Sequence, residues 1–68
     1  MISEIVVPHV FMPGHTIEAI IKKVNMHSVD PNEMRELLEA FHNLNGSSVP
    51  RAGTVSKIPL LKRHEGMI

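Results

Sequence analysis

Eight apolar residues of this chain fall into two copies of one spacing. Ile17, Ile20, Ile21 and Val24 lie at i, i+3, i+4 and i+7, and Met34, Leu37, Leu38 and Phe41 repeat the pattern. That period belongs to a helix with a single apolar stripe. Two such short helices cannot hold each other up alone, so each must lie on a further surface. The chain has 68 residues, room for one domain that buries about 60% of its unfolded surface. It has no Cys, so neither disulfides nor a thiolate metal site can stand in for a core.

Both helices carry boundary signals. Thr16 is a natural N-cap, Glu18 follows in the first turn, and Lys22 and Lys23 sit near the end, which places a helix over about Ile17 to Asn25. Asp30 as N-cap, Pro31 at N1 and Glu33 at N3 form a capping box for the second helix. It is expected to stop near His42 or Asn43, before Asn45-Gly46.

The flanks are β-prone. Ile5, Val6, Val7 and Val10 precede the first helix, but Pro8 interrupts them. The ordered strand is therefore expected at about His9 to Met12, with residues 1–8 left as an apolar arm. Thr54 to Ile58 forms the second expected strand, closed by Pro59, and residues 60–68 form a tail. The fold class is α+β, with a βααβ order and two helices packed on a two-stranded antiparallel sheet across residues 9–59. Phe11 and Ile58 add to the eight stripe residues as core.

Charge and composition remove several functions. Seven Lys and Arg balance seven Asp and Glu, and no strongly basic face suggests nucleic acid. The basic pairs Lys22-Lys23 and Lys62-Arg63 lack interleaved aromatics for base stacking. No run approaches the roughly 18 apolar residues of a membrane span. The opening Met1-Ile2-Ser3-Glu4 places an acid where a signal peptide would be basic, so the chain is expected to be soluble and made in the cytoplasm.

The five His are separated by 6, 12, 15 and 22 residues, none of which is a zinc-site spacing. They are read as independent imidazoles, with no metal and no cofactor. Ser47 and Ser48 lie near His42 but have no evident acid partner, so no catalytic residue is assigned and no enzyme is expected. Glu33, Glu36 and Glu39 are read as a solvated helix face.

One family resembles this pattern. His9-Val10-Phe11-Met12-Pro13-Gly14-His15-Thr16-Ile17, followed by Ile20 and Lys22-Lys23, is similar to the strand, Pro-Gly-Asp-Thr-Leu turn and helix that open a lysin-motif (LysM) domain. Val49-Pro50-Arg51-Ala52-Gly53-Thr54, ending Lys57-Ile58-Pro59, resembles its Pro-x-Gly, strand, Ile-Pro close. His15 stands in place of the family's Asp, and Arg51-Ala52 adds a residue before Gly53. The resemblance implies a LysM-like βααβ fold and two kinds of work. Many members bind N-acetylglucosamine polymers such as peptidoglycan in a groove, which here would set Gly14, His15, Thr16 and Ile17 against Leu44, Asn45, Gly46, Ser47 and Ser48. Others are small standalone parts of contractile phage tails, similar to the tail protein X type.

Between the two, assembly explains more of the chain. Aromatic content is 3%, with no Trp or Tyr to stack on a pyranose ring. The arm and the tail are apolar, and an arm of this kind can be taken up by strand addition. Ile2, Ile5, Val6, Val7, Met12, Leu60, Leu61, Met67 and Ile68 are the expected partner contacts. The chain is thus read as a virion structural subunit of a tail or baseplate, made in the host cytoplasm and binding other virion proteins. A peptidoglycan-binding module is the second reading, and a small cytoplasmic adaptor or inhibitor the third.

Overall fold

The structure, a computed structural model, describes residues 1–47 and 49–67. Strand β1 spans Ile2–Val10, helix α1 Ile17–Val24, helix α2 Pro31–Asn45 and strand β2 Val55–Leu61, and a 3-10 helix over Lys62–Met67 follows directly. The two strands pair antiparallel and the helices pack against them, a mixed α+β layout of βααβ order.

The caps fix the helices as their residues dictate. Thr16 Oγ1 accepts from the Ala19 N–H at 3.2 Å. Asp30 accepts from the Glu33 N–H at 2.8 Å, while Glu33 accepts from the Asp30 N–H at 3.0 Å. All eight stripe residues are buried or packed on the core, together with Phe11 and Ile58. Helix α2 runs to Asn45, a few residues past the expected stop, and Gly46 ends it at φ +86°.

The strands depart most from expectation. Residues 1–8 are not an arm: β1 begins at Ile2 and pairs with β2 through Ile2↔Leu61, Val6↔Pro59, Val7↔Ile58, Pro8↔Lys57, His9↔Ser56 and Val10↔Val55. Nor is residue 60 the start of a tail, since Leu60 and Leu61 belong to β2 and are buried. Both prolines sit inside strands because of parity. The Phe11 N–H donates to the Thr54 carbonyl, and the Lys57 N–H and carbonyl both turn away from β1 to Asn45. Even residues of β1 and odd residues of β2 thus face outward, and Pro8 and Pro59 each occupy a position whose missing N–H the ladder does not use.

A bulge accommodates the rest of β1. Ser3, Glu4 and Ile5 stand opposite Leu60 alone. Buried Ser3 closes it, accepting from the Ile5 N–H at 3.0 Å and donating to Glu65 Oε1 at 2.5 Å.

The outward edge of β2 is met by two asparagines. Asn45 Oδ1 accepts from the Lys57 N–H at 2.8 Å, and its Nδ2 donates to the Lys57 carbonyl at 2.7 Å. Asn25, fully buried, donates to the Pro59 and Ile21 carbonyls and accepts from the Leu61 N–H at 2.8 Å. Its Oδ1 also lies 3.0 Å from Nδ1 of buried His64, which must donate there. Arg63 forks onto Glu33 at 2.6 and 2.9 Å, so Glu33 is tied to the C-terminal segment rather than left in a solvated row.

Two outcomes test this arrangement. Asn25→Ala strands the buried Leu61 N–H, the Pro59 carbonyl and His64, and should cost about 3 kcal/mol in urea unfolding. A loss under about 1 kcal/mol would show that the edge is satisfied otherwise. Removing residues 1–7 takes most of β1 from the sheet, and the truncated chain should show an unfolded far-ultraviolet circular dichroism spectrum. Retention of cooperative unfolding would return the segment to the status of an arm.

Candidate functional site

Between the turn after β1 and the middle of α2 runs an open groove of about 670 Å³. Its first wall is built by the Pro13-Gly14 turn. Gly14 takes φ +91°, the left-handed region that glycine enters without a Cβ penalty. The His15 N–H donates to the Met12 carbonyl at 3.0 Å, and the Met12 N–H donates back to His15 Nδ1 at 3.2 Å. A backbone N–H can only donate, so Nδ1 of His15 is an acceptor and Nε2 carries the proton. Thr16, Ile17 and Glu18 continue the wall along the start of α1.

His9 completes the turn from below. Its Nε2 lies 3.2 Å from His15 Nδ1 and must donate there. The same ring meets Phe11 edge-on with centroids 5.1 Å apart, and Phe11 meets Phe41 at 6.1 Å. This aromatic chain links the turn to the core. Burial, then the neighbouring His15, then Lys23 hold the His9 imidazolium disfavoured, so its pKa lies below the ordinary 6.5.

The second wall comes from α2 and the loop before β2. Leu38 and His42 are one turn apart on the same helix face, and Val49 and Pro50 close the groove beyond them. His42 Nδ1 lies 3.2 Å from the Gly46 carbonyl and so carries a proton, leaving its Nε2 an acceptor. One imidazole therefore offers a donor at Nε2 and the other an acceptor, above a floor of Phe11, Ile17 and Leu38.

Of the groove residues expected from sequence, His15, Thr16 and Ile17 line it. Gly14 shapes the turn without lining the groove, and the far wall differs. Leu44, Asn45, Gly46 and Ser47 are replaced there by Leu38, His42, Val49 and Pro50, while Ser48 lies outside the described residues. The reason is the length of α2: Asn45 is still helical and turns its side chain onto β2. The i, i+4 pair of Leu38 and His42 is the signal that would have located this wall. The His are not independent either, since His9 and His15 are paired and His64 is buried on Asn25.

The chain matches no known family model, no curated protein and no solved structure. Among the described residues no three His, Asp or Glu are grouped to hold a metal ion, and no helix is long and apolar enough to cross a membrane.

The expected partner contacts divide sharply. Leu60 and Leu61 are buried, and Ile2 and Val7 are half-buried and pack on the core. Val6 is half-buried. Ile5, Met12 and Met67 are exposed, and Ile68 lies outside the described residues.

The His9 environment gives a pH dependence with a definite sign. Folded His9 binds its proton more weakly than a free imidazole, so the unfolded chain takes up that proton first as pH falls. This contribution is intact above about pH 6.5 and is lost below it, toward the folded value. The urea midpoint should therefore drop less between neutral and mildly acid pH in His9→Gln than in the parent. Equal drops in the two chains would remove His9 as a source of the acid sensitivity.

Proposed function

We propose that this chain is a non-catalytic LysM-like assembly module whose groove receives a partner protein, and that it serves as a structural subunit of a phage tail or baseplate. The observation that carries the reading is the apolar groove. Phe11, Ile17, Leu38, Val49 and Pro50 give it an apolar lining beside the polar His15, Thr16, Glu18 and His42, and Val49, at 80% exposure, presents an apolar side chain to solvent on its rim. Isolated exposed apolar residues are common, but one bordering a concave apolar surface marks a place where another protein's side chain is held. Met12 lies exposed in the turn that builds the opposite wall. Partner binding in this reading rests on the groove, since one edge of the N-terminal segment is already paired with β2.

A second reading, peptidoglycan binding, draws on one specific observation. His15, Thr16 and Ile17 line the groove where the LysM resemblance places the glycan. Against it, Phe11 is only 3% exposed and offers no open ring face to a pyranose. Asn45, the amide best placed for a sugar hydroxyl by sequence, has its side chain engaged by Phe41 and Lys57.

Val49→Glu separates the readings. Because Val49 is exposed, its replacement should leave the unfolding free energy within about 0.5 kcal/mol of the parent. In cells producing the particle, incorporation of the variant into purified tails should fall at least about tenfold, the loss expected when a charge enters an apolar contact. Normal incorporation would remove the groove from assembly. Retention of the parent chain on insoluble peptidoglycan, lost in Val49→Glu, would favour the glycan reading instead.

A further inference from the structure

The Asn45-Gly46 bond combines a reactive sequence with an unusual degree of restraint. An asparagine followed by glycine deamidates readily, because glycine has no side chain to crowd the attack of its own backbone nitrogen on the asparagine amide. Here every group that must move is held. The Gly46 N–H donates to the His42 carbonyl at 2.8 Å, the last bond of α2. Asn45 Nδ2 donates to the Phe41 carbonyl at 3.0 Å and to the Lys57 carbonyl at 2.7 Å, and Oδ1 accepts from the Lys57 N–H at 2.8 Å. His42 also bonds the Gly46 carbonyl, which fixes the following peptide.

We propose that Asn45-Gly46 is a conformationally gated deamidation site, silent while α2 is docked on β2 and reactive once they part. In the reaction hydroxide removes the Gly46 amide proton and the nitrogen attacks Asn45 Cγ. The new C–N bond forms, the Cγ–Nδ2 bond breaks, and ammonia leaves with a proton from water. Water then opens the resulting succinimide at either carbonyl, giving aspartate or its β-linked isomer. No oxidant or reductant is involved.

The product cannot restore the parent contacts. An aspartate at this position has no donor for the Phe41 and Lys57 carbonyls and would set a carboxylate against both. The β-linked isomer adds a backbone atom at the end of α2. Deamidation therefore runs one way: a chain that stays undocked long enough is chemically marked and loses its clasp on β2.

Peptide mapping by mass spectrometry of the full chain, held at neutral pH with and without denaturing urea, tests this directly. Asn45 should convert at least about tenfold faster in urea, since docking must open before attack. In urea it should also outrun Asn25, Asn32 and Asn43, which precede Met, Glu and Leu. In native buffer Asn25→Ala, which loosens β2 away from the reacting bond, should raise the Asn45 rate. Equal rates with and without urea, or no lead over the other asparagines in urea, would overturn the proposal. Asn45→Asp should unfold at lower urea than the parent, and an unchanged midpoint would overturn the one-way character.

Discussion

A two-stranded sheet has no interior strand, and here the outer edge of β2 is satisfied by side chains. Asn45 meets both polar groups of Lys57, as a neighbouring antiparallel residue would, and Asn25 meets the Pro59 carbonyl and the Leu61 N–H. Each asparagine stands at the end of a helix, so the same bonds that complete the sheet also dock α1 and α2 upon it. A hairpin-sized sheet is marginal in water by itself. Supplying its edge from the helices ties the apolar stripes and the ladder into one cooperative unit. His64, donating to the same Asn25 oxygen, brings the C-terminal 3-10 helix into that unit.

The groove inherits its shape from this docking. Its first wall is a tight turn locked by reciprocal bonds between Met12 and His15, and its second is a face of α2 whose position is set by Asn45 below. Phe11 and Phe41 pack between the two walls and connect them to the core. Two of its polar groups, His15 and His42, are imidazoles held by hydrogen bonds, beside Thr16 and Glu18. A partner would thus meet a largely preformed surface, with little ordering left to oppose binding.

The helices were legible in the chain because their rules are local. Thr16, Asp30, Pro31 and Glu33 declare their boundaries within a few residues, and the two stripes declare their buried faces. Strand extent was not legible, because Pro8 and Pro59 read as interruptions until the pairing parity is known. Whether a proline breaks a strand depends on which way its nitrogen faces, and that is a property of the partner. The near wall of the groove followed from the turn residues, whereas the far wall did not. Asn45 looked like a free loop amide, yet its role is defined by Lys57, a residue twelve positions later. Polar partners of this kind carry no periodic signature.

The pairing of Ile2 with Leu61 has a consequence in time. Nearly the whole chain must be made before the first strand finds the last, and closing so long a loop delays sheet formation relative to helix formation. A nascent chain emerging from the ribosome can wind α1 and α2 while their stripes and the valines of β1 remain uncovered. During that interval Lys57 has not yet arrived to hold Asn45. The order of synthesis therefore sets a window in which the chain is most exposed to aggregation and to chemical ageing, and arrival of β2 ends both hazards together.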